Sequence, residues 1–525
     1  MADTWPEKIW LMGSLKPMRF EANVDDCIVT EGEVPTTLNG GFYRVGGTWK
    51  RPSRQGITGP FTLDGMVQGL IFREGRVDFR NRWIRTPKYQ AEERAGRALF
   101  DWTDGKFDDW RGFGWGEVIR NELTHGVPQG TNNVNVVPFA GQLLALGEQG
   151  SPPVAIDPIS LNTAGIVPWS TRLSRGMHEP ACFGDAAFTA HPKWDPQTGE
   201  LFGWTYTDAK PYTTLHWVKP DGTVRSRELW DAPYAALTHD MWLTQNYVVL
   251  PFQPLIVGTA HIEEDKAFYE WKPELPIVLA VIRRDDFDAP IRWLDTGLEP
   301  QYVLHTMSAN HDGDRLILDA PLYEGPPFPS EKSTASGSDY VPMPTARLGR
   351  WTIELSTGTV RSEHVDDRAC EFPKVDERFY GQPYTKGFLV AGAELWSLDT
   401  LVCRDIPSGK EQSYRIQRDS PVSVFEPTFA PRHEGAPEGD GYLILPVSRF
   451  MENLSEFLIF DTEDVGAGPV ARIELPFQIG WTPHGHWMDF TSGELARSAP
   501  ASRDATTLAA TELTERGGIP LSEFA

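Results

Sequence analysis

Short apolar runs bounded by turn residues dominate the chain. Leu143 to Leu146, Tyr247 to Phe252, Arg315 to Leu318, Phe388 to Val390, Gly441 to Val447 and Glu456 to Phe460 have the roughly 4 to 8 residue length and the Gly, Pro and Asp boundaries of strands. Between such runs stand Glu74-Gly75-Arg76, Asp195 to Gly199, Pro220 to Thr223, Asp312-Gly313-Asp314 and Ser356 to Thr359. Each predicts a hairpin turn, because Asp and Asn accept local backbone bonds and Gly supplies positive φ. Hairpins tiling so long a chain imply a barrel, a sandwich pair or a propeller. No repeat of about 40 residues with a Trp-Asp signature is visible, so any propeller blades are irregular.

One segment breaks this pattern. Residues 89 to 102 place Ala91, Ala95 and Leu99 four apart among charges, which predicts an amphipathic helix. It leads into a Trp- and Gly-rich stretch, 102 to 118, read as loop, so that 89–118 forms part of a cap over one face. Gly325 to Pro344 and Pro431 to Gly441 read as loops, and the residues from about 492 to 525 as a C-terminal tail or packing arm.

Composition narrows the function classes. The chain has 525 residues and 73 acidic against 49 basic side chains, a net charge of −24. No basic surplus is available for nucleic acid or anionic membrane. The N-terminus lacks the basic start and apolar run of a secretory signal, and no stretch reaches the ~20 apolar residues of a spanning helix. A cytoplasmic protein without an integral membrane anchor is therefore expected. Cys27, Cys182, Cys370 and Cys403 lie far apart, which predicts buried thiols instead of a disulfide framework or a zinc motif.

Among 12 histidines, four sit in unusual contexts: His191 before Pro and a tight turn, His239 in LTHDMW, His305 in VLHTMSANHDGD and His484 in WTPHGHWMDF. Their separations of 48, 66 and 179 residues match no local metal motif. Spacing alone therefore identifies no site.

A resemblance supplies what spacing does not. The blocks Asn39 to Val45 with Leu63 to Met66, Thr189-Ala190-His191-Pro192-Lys193 with Asp195-Pro196 and Thr198-Gly199-Glu200, and His239-Asp240 resemble the carotenoid cleavage oxygenase superfamily. Glu371-Phe372-Pro373, Glu426 to Phe429 with Glu438 to Tyr442, Gly468 to Ala471 and His484-Gly485 before Trp487 continue the likeness over nearly the whole length. It is nearest to the lignostilbene dioxygenase and isoeugenol monooxygenase branch.

The resemblance implies an all-β fold, a seven-bladed β-propeller occupying 1–525 as one domain, with a helical and loop cap over an axial metal. It implies one Fe(II) per chain held by His191, His239, His305 and His484, with His486 as the competitor for the last place. Behind the ligands it puts Glu148, Glu371 and Glu426, each accepting the free ring N–H of a histidine and fixing its tautomer, while His191 lacks such a glutamate. Val134 stands where relatives often carry a Thr that crowds the sixth iron position.

The activity implied is cleavage of a C=C bond conjugated to an aromatic ring with O2, as in isoeugenol, 4-vinylguaiacol or a stilbenoid, giving an aldehyde such as vanillin. No flavin or NAD is needed. The partner expected is a small hydrophobic aromatic alkene, with a possible homodimer. The Lys and Tyr that lignostilbene-type enzymes present to the substrate phenol are absent: Gly147-Glu148 and Trp102-Thr103 stand at those places. Tyr89, Tyr302 and Trp102 are the substrate-pocket candidates. An apocarotenoid dioxygenase or a retinoid-like isomerase keeps the same iron site, whereas a non-catalytic ligand-binding propeller has no need of four axial histidines.

Overall fold

The computed structural model describes residues 16–51, 63–100, 130–148, 152–172, 187–258, 269–327, 345–393, 398–416, 422–449 and 451–490. Strands make up nearly all of its regular structure. All six apolar runs lie in strands: Gln142–Leu146, Tyr247–Phe252, Arg315–Tyr323, Lys386–Gly392, Gly441–Arg449 and Leu454–Asp461. Arg76–Trp83 shows the pleat most plainly, burying Val77, Phe79, Asn81 and Trp83 in alternation with more exposed neighbours, as a period of two requires. Gly75, Gly199, Gly222, Gly313 and Gly358 turn the chain at φ between 60° and 80°, the left-handed region predicted for these hairpins.

The helix is shorter than its periodicity suggests. It spans Pro87–Ala95, with the Thr86 hydroxyl accepting from Tyr89 N and Gly96 closing the C-terminus at φ 68°. Leu99 lies beyond the cap and still packs with Ala91 and Phe100. Three-and-four spacing thus persists past the helix because the turn folds back onto the same apolar patch. Residues 102 to 118 and the tail after 490 lie outside the described residues, as does most of the loop Gly325 to Pro344. No helix among the described residues is long and apolar enough to cross a membrane.

The sheets are antiparallel and mostly built from consecutive strands. Asn135–Phe139 opens one four-stranded sheet, Lys193–Trp194 the next and Trp242–Leu243 a third. A long strand, Thr359–Lys374, belongs to two groups at once. Thr359 to His364 pair with Gly349 to Glu354, whereas Ala369 to Lys374 pair with Phe388 to Gly392. Two sheets join the chain's ends. His484–Asp489 pairs with Gly40–Thr48, placing His484 opposite Val45, and Ile28–Gly32 pairs with Ala471–Leu475.

The core is divided among clusters, each filling the space between successive sheets. One holds Val67, Val136 and Leu143; another Leu144, Phe188 and Leu201; a third Trp204, Leu250 and Ala280. The succession continues until Phe42, Phe79, Ile444 and Ile473 pack the last sheet against the first. The inner strands of the sheets therefore bury both faces, which explains strands buried along nearly their whole length, such as Gly441–Arg449.

Close approach fixes the start of the closing strand. A Cβ at Gly485 would lie 2.8 Å from Tyr43 O and from Arg44 Cγ, inside any ordinary contact. Gly485→Ala is expected to destabilise the protein by about 1–3 kcal/mol through overpacking, read as a lower Tm in thermal unfolding.

Candidate metal centre

The four histidines enter by one local plan. His191 stands two residues before Lys193–Trp194, His239 three before Trp242–Leu243 and His305 three before Ser308–Asp312, while His484 begins His484–Asp489. Each of these strands lies at an end of its sheet or pairs with a single neighbour. Residues remote in sequence thus reach one place because equivalent strand ends converge there. The His191 ring centroid is 4.4 Å from that of His239, 5.0 Å from His305 and 4.5 Å from His484. His305 and His484 are 4.7 Å apart. Ligand nitrogens of His191, His239 and His305 all lie within 4.8 Å of one another.

Three carboxylates stand behind three of the rings. Glu371 Oε2 meets His305 Nδ1 at 2.8 Å and Glu426 Oε1 meets His484 Nδ1 at 3.0 Å, while Glu148 Oε1 lies 3.5 Å from His239 Nδ1. Each glutamate is itself held. Glu371 accepts from the Tyr323 hydroxyl at 2.8 Å, Glu148 from the Tyr206 hydroxyl at 2.9 Å, and Glu426 from Gly485 N at 2.9 Å. A carboxylate behind a ring nitrogen fixes the tautomer and leaves Nε2 to bind a cation. Phe372 adopts φ 56°, a conformation that costs a bulky residue of order 1–3 kcal/mol. In it the ring stacks on His305 at 5.9 Å, and its N–H donates to Glu371.

Two buried charges register these segments. Asp240, beside His239, accepts from Lys193 Nζ at 2.8 Å and from the Thr306 backbone N at 2.8 Å and hydroxyl at 2.9 Å. Lys193 and Thr306 lie next to the His191 and His305 positions, so one carboxylate ties three histidine-bearing segments. Arg44 serves the fourth: its guanidinium donates to Thr482 Oγ1 at 2.9 Å, Pro483 O at 3.0 Å and Glu426 O at 2.8 Å.

The electrostatics suit a cation. Burial, reinforced by the neighbouring rings, holds His191 well below the usual imidazole range. Its Nε2 is buried with no hydrogen-bond partner. An orphaned ring nitrogen facing three other imidazoles is costly unless something electron-poor occupies the centre. Burial likewise pushes His484 down to about 3, with Glu426 opposing and Lys374 assisting. His305 goes the other way: burial lowers it, but Glu371, helped by Asp240 and Glu426, leaves it raised. The surroundings of the two supporting carboxylates differ as well: Lys374 Nζ stands 3.5 Å from Glu426, whereas Glu371 has neutral donors. Neutral imidazoles with carboxylate support fit a borderline metal such as iron or zinc.

A cavity of about 810 Å³ opens onto His191, His305 and His484 and is bordered by Asn135, Lys374 and His486. Val134 is buried beside it in sequence, its N–H bonded to Leu146 O. Asn135 donates to Ala190 O next to His191. Tyr302 is fully buried with its hydroxyl on Leu237 O, and Tyr89 stacks on Trp83 beside a separate surface groove. Neither lines this cavity, and Trp102 lies outside the described residues. His486, the competitor for the last place, has its Nδ1 2.8 Å from Glu377 Oε2 and borders the same cavity. Tyr206, Tyr323, Lys374 and Glu377 were not visible as site residues in the sequence; only the buried strand positions of the two tyrosines hint at hydroxyls needing partners. Cys27, Cys370 and Cys403 are buried free thiols, raised by burial, and Cys182 lies outside the described residues.

Asp240→Asn leaves Lys193 buried without its counter-charge and is expected to cost about 3–5 kcal/mol, measured by denaturant unfolding. Proton competition gives a second test. The raised His305 must lose its proton to bind a cation, so metal affinity falls as pH drops below its titration. Glu371→Gln removes the group that raises it and is expected to move that fall to lower pH, followed by metal titration across pH 5 to 8.

Residues 15–489 match the family model described as retinal pigment epithelial membrane protein. Isoeugenol monooxygenase of Pseudomonas putida is 31% identical over 501 residues, covering 91% of this chain and 97% of that enzyme. Lignostilbene-alpha,beta-dioxygenase isozyme III of Sphingomonas paucimobilis is 30% identical over 513 residues, covering 92% and 98%. The crystal structure of Pseudomonas brassicacearum lignostilbene dioxygenase superposes with a TM-score of 0.80 at 30% identity, over 93% of this chain and 100% of that one. With matches of this extent in sequence and in fold, the chain belongs to the retinal pigment epithelial membrane protein family, the carotenoid cleavage oxygenases, and is an oxidoreductase that incorporates O2.

Proposed function

We propose that this protein is an Fe(II)-dependent oxygenase that cleaves the C=C bond of an aryl alkene. The observation that carries the reading is the convergence of four imidazoles, one of which, His191, keeps a buried Nε2 with no hydrogen-bond partner. His191, His239, His305 and His484 are the proposed ligands, with Glu148, Glu371 and Glu426 holding three of the rings in the Nδ1–H tautomer. Bound there, iron supplies the redox-active centre that O2 chemistry requires. Val134 is proposed to keep an apolar methyl against one side of the metal.

The reading also accounts for the architecture. Counting the two groups that share Thr359–Lys374 separately and leaving aside the two-stranded sheet of Leu255–Val257 and Tyr269–Trp271, the hydrophobic clusters link seven successive sheets among the described residues. Seven blades of a propeller around the histidines are the proposed arrangement, with the helix Pro87–Ala95 as part of a cap. Such a cap would bury the apolar substrate and exclude water from the reacting bond.

Relatives named for isoeugenol and lignostilbene favour an alkene conjugated to a phenolic ring as substrate. The alkene carbons each gain one oxygen as the double bond breaks, giving two carbonyl products. The alkene's own electrons reduce O2, so neither flavin nor NAD is called for. Likeness to the Synechocystis apocarotenoid-15,15'-oxygenase, 26% identical over 498 residues, keeps an apocarotenoid as the second substrate class.

Purified protein is expected to carry about one iron per chain, measured by elemental analysis, and His239→Ala to lose metal and activity together. Aerobic incubation of iron-loaded enzyme with isoeugenol, 4-vinylguaiacol, a hydroxystilbene and an apocarotenoid should yield an aromatic aldehyde from one of the first three. Cleavage of the apocarotenoid alone would overturn the aryl-alkene assignment.

A further inference from the structure

The three carboxylates behind the histidines are not equivalent. Glu148 and Glu371 receive their other hydrogen bonds from neutral donors, the Tyr206 and Tyr323 hydroxyls and the backbone N–H groups of Ala190 and Phe372. No Lys or Arg side chain among the described residues pairs with either carboxylate. Glu426 instead faces Lys374 Nζ at 3.5 Å. That lysine is buried, its side chain 7% exposed, and is held on its other side by Glu377 Oε1 at 2.8 Å. Glu377 in turn meets His486 Nδ1. A continuous line of polar groups therefore runs His486, Glu377, Lys374, Glu426, His484, along one wall of the cavity.

We infer that Lys374 is a positioning residue which, seated by Glu377, draws charge from Glu426 and makes His484 a weaker donor than His305, the other histidine whose Nδ1 is hydrogen-bonded to a glutamate. The physical basis is competition for one carboxylate. An ammonium group at its second oxygen reduces the charge available to the imidazole N–H, and outer partners of this kind tune the basicity of a metal-bound ring. His305, backed at 2.8 Å by a carboxylate that answers to neutral donors, remains the stronger of the two. The two carboxylate-bonded rings are thereby unequal, and of this pair His484 yields more readily when a further molecule crowds the metal. Glu377 sets the strength of the effect by holding the lysine back from Glu426.

This inference rests on the metal-binding reading of the four histidines, and its test separates the two. Anaerobic Fe(II) affinity is measured by chelator competition for wild type, K374M, K374R, E377Q, E426Q and the K374M/E426Q double variant, with Tm recorded for each. Removing the ammonium should tighten Fe(II) binding by about 10-fold in K374M, in the range by which outer partners shift metal affinity. E377Q, which frees the lysine to lean on Glu426, should weaken it by a similar factor, and K374R should match wild type. A role confined to packing would instead weaken binding in K374M and E377Q alike. The gain in K374M should vanish in the E426Q background; its persistence there overturns the route through Glu426. If K374M does not fold, E377Q decides, and an affinity equal to or above wild type overturns the inference. Wild-type protein that binds no iron sinks the metal reading itself, whereas iron-binding wild type with unchanged K374M and E377Q sinks only the role of Lys374.

Discussion

The Asp240 carboxylate is the contact on which the histidine cluster depends most. It is 2% exposed, and a carboxylate so far from water must be matched by charge and hydrogen bonds or it will not stay ionised. Lys193 and Thr306 supply that match from segments that carry two other histidines. The same requirement that satisfies one buried charge therefore sets three rings in register. Arg44 repeats the device on the opposite side, where a fully buried guanidinium spends its donors on the carbonyls just before His484 and on Glu426. The geometry of the histidine cluster and polar satisfaction are in this sense one problem, solved by two side chains outside the cluster.

Around these anchors the hydrophobic clusters supply rigidity. Each fills the gap between two sheets, so the position of any histidine is fixed by packing on both sides of its own sheet. Densely packed interiors yield little to small displacements. That property matters for a site assembled from loops, since His191, His239 and His305 all precede their strands instead of lying within them. The left-handed Phe372 shows the same balance locally, because its strain is held in place by a ring stacked on His305 and by a hydrogen bond to Glu371.

Much of this was legible before any coordinates. Period-two strands and glycine turns followed from local chemistry, which acts over a few residues and leaves its mark in the sequence. The carboxylate partners Glu371 and Glu426 came from family resemblance on motifs that flank them. What could not be read was whatever depends on which strand ends meet. Lys374 looks like any strand lysine until Glu426 and Glu377 are seen on either side of it. Tyr302 looks like a phenol binder until its hydroxyl is found on Leu237 O. The helix overran in the sequence reading because Leu99 keeps the helical spacing after Gly96 has ended the helix, a coincidence that only backbone geometry resolves.

The pairing of the chain's two ends has a consequence for how the molecule is made. Arg44 bonds to Thr482 across 438 residues, so the strand Gly40–Thr48 leaves the ribosome long before His484–Asp489 exists. At ordinary synthesis rates that interval is on the order of tens of seconds. Throughout it one edge of the first sheet stands open, and open edges invite pairing with other chains. His191, His239 and His305 are already present while the fourth ring and its glutamate are still untranslated. A nascent chain can therefore gather only part of the histidine cluster, and completion of that cluster coincides with closure of the fold.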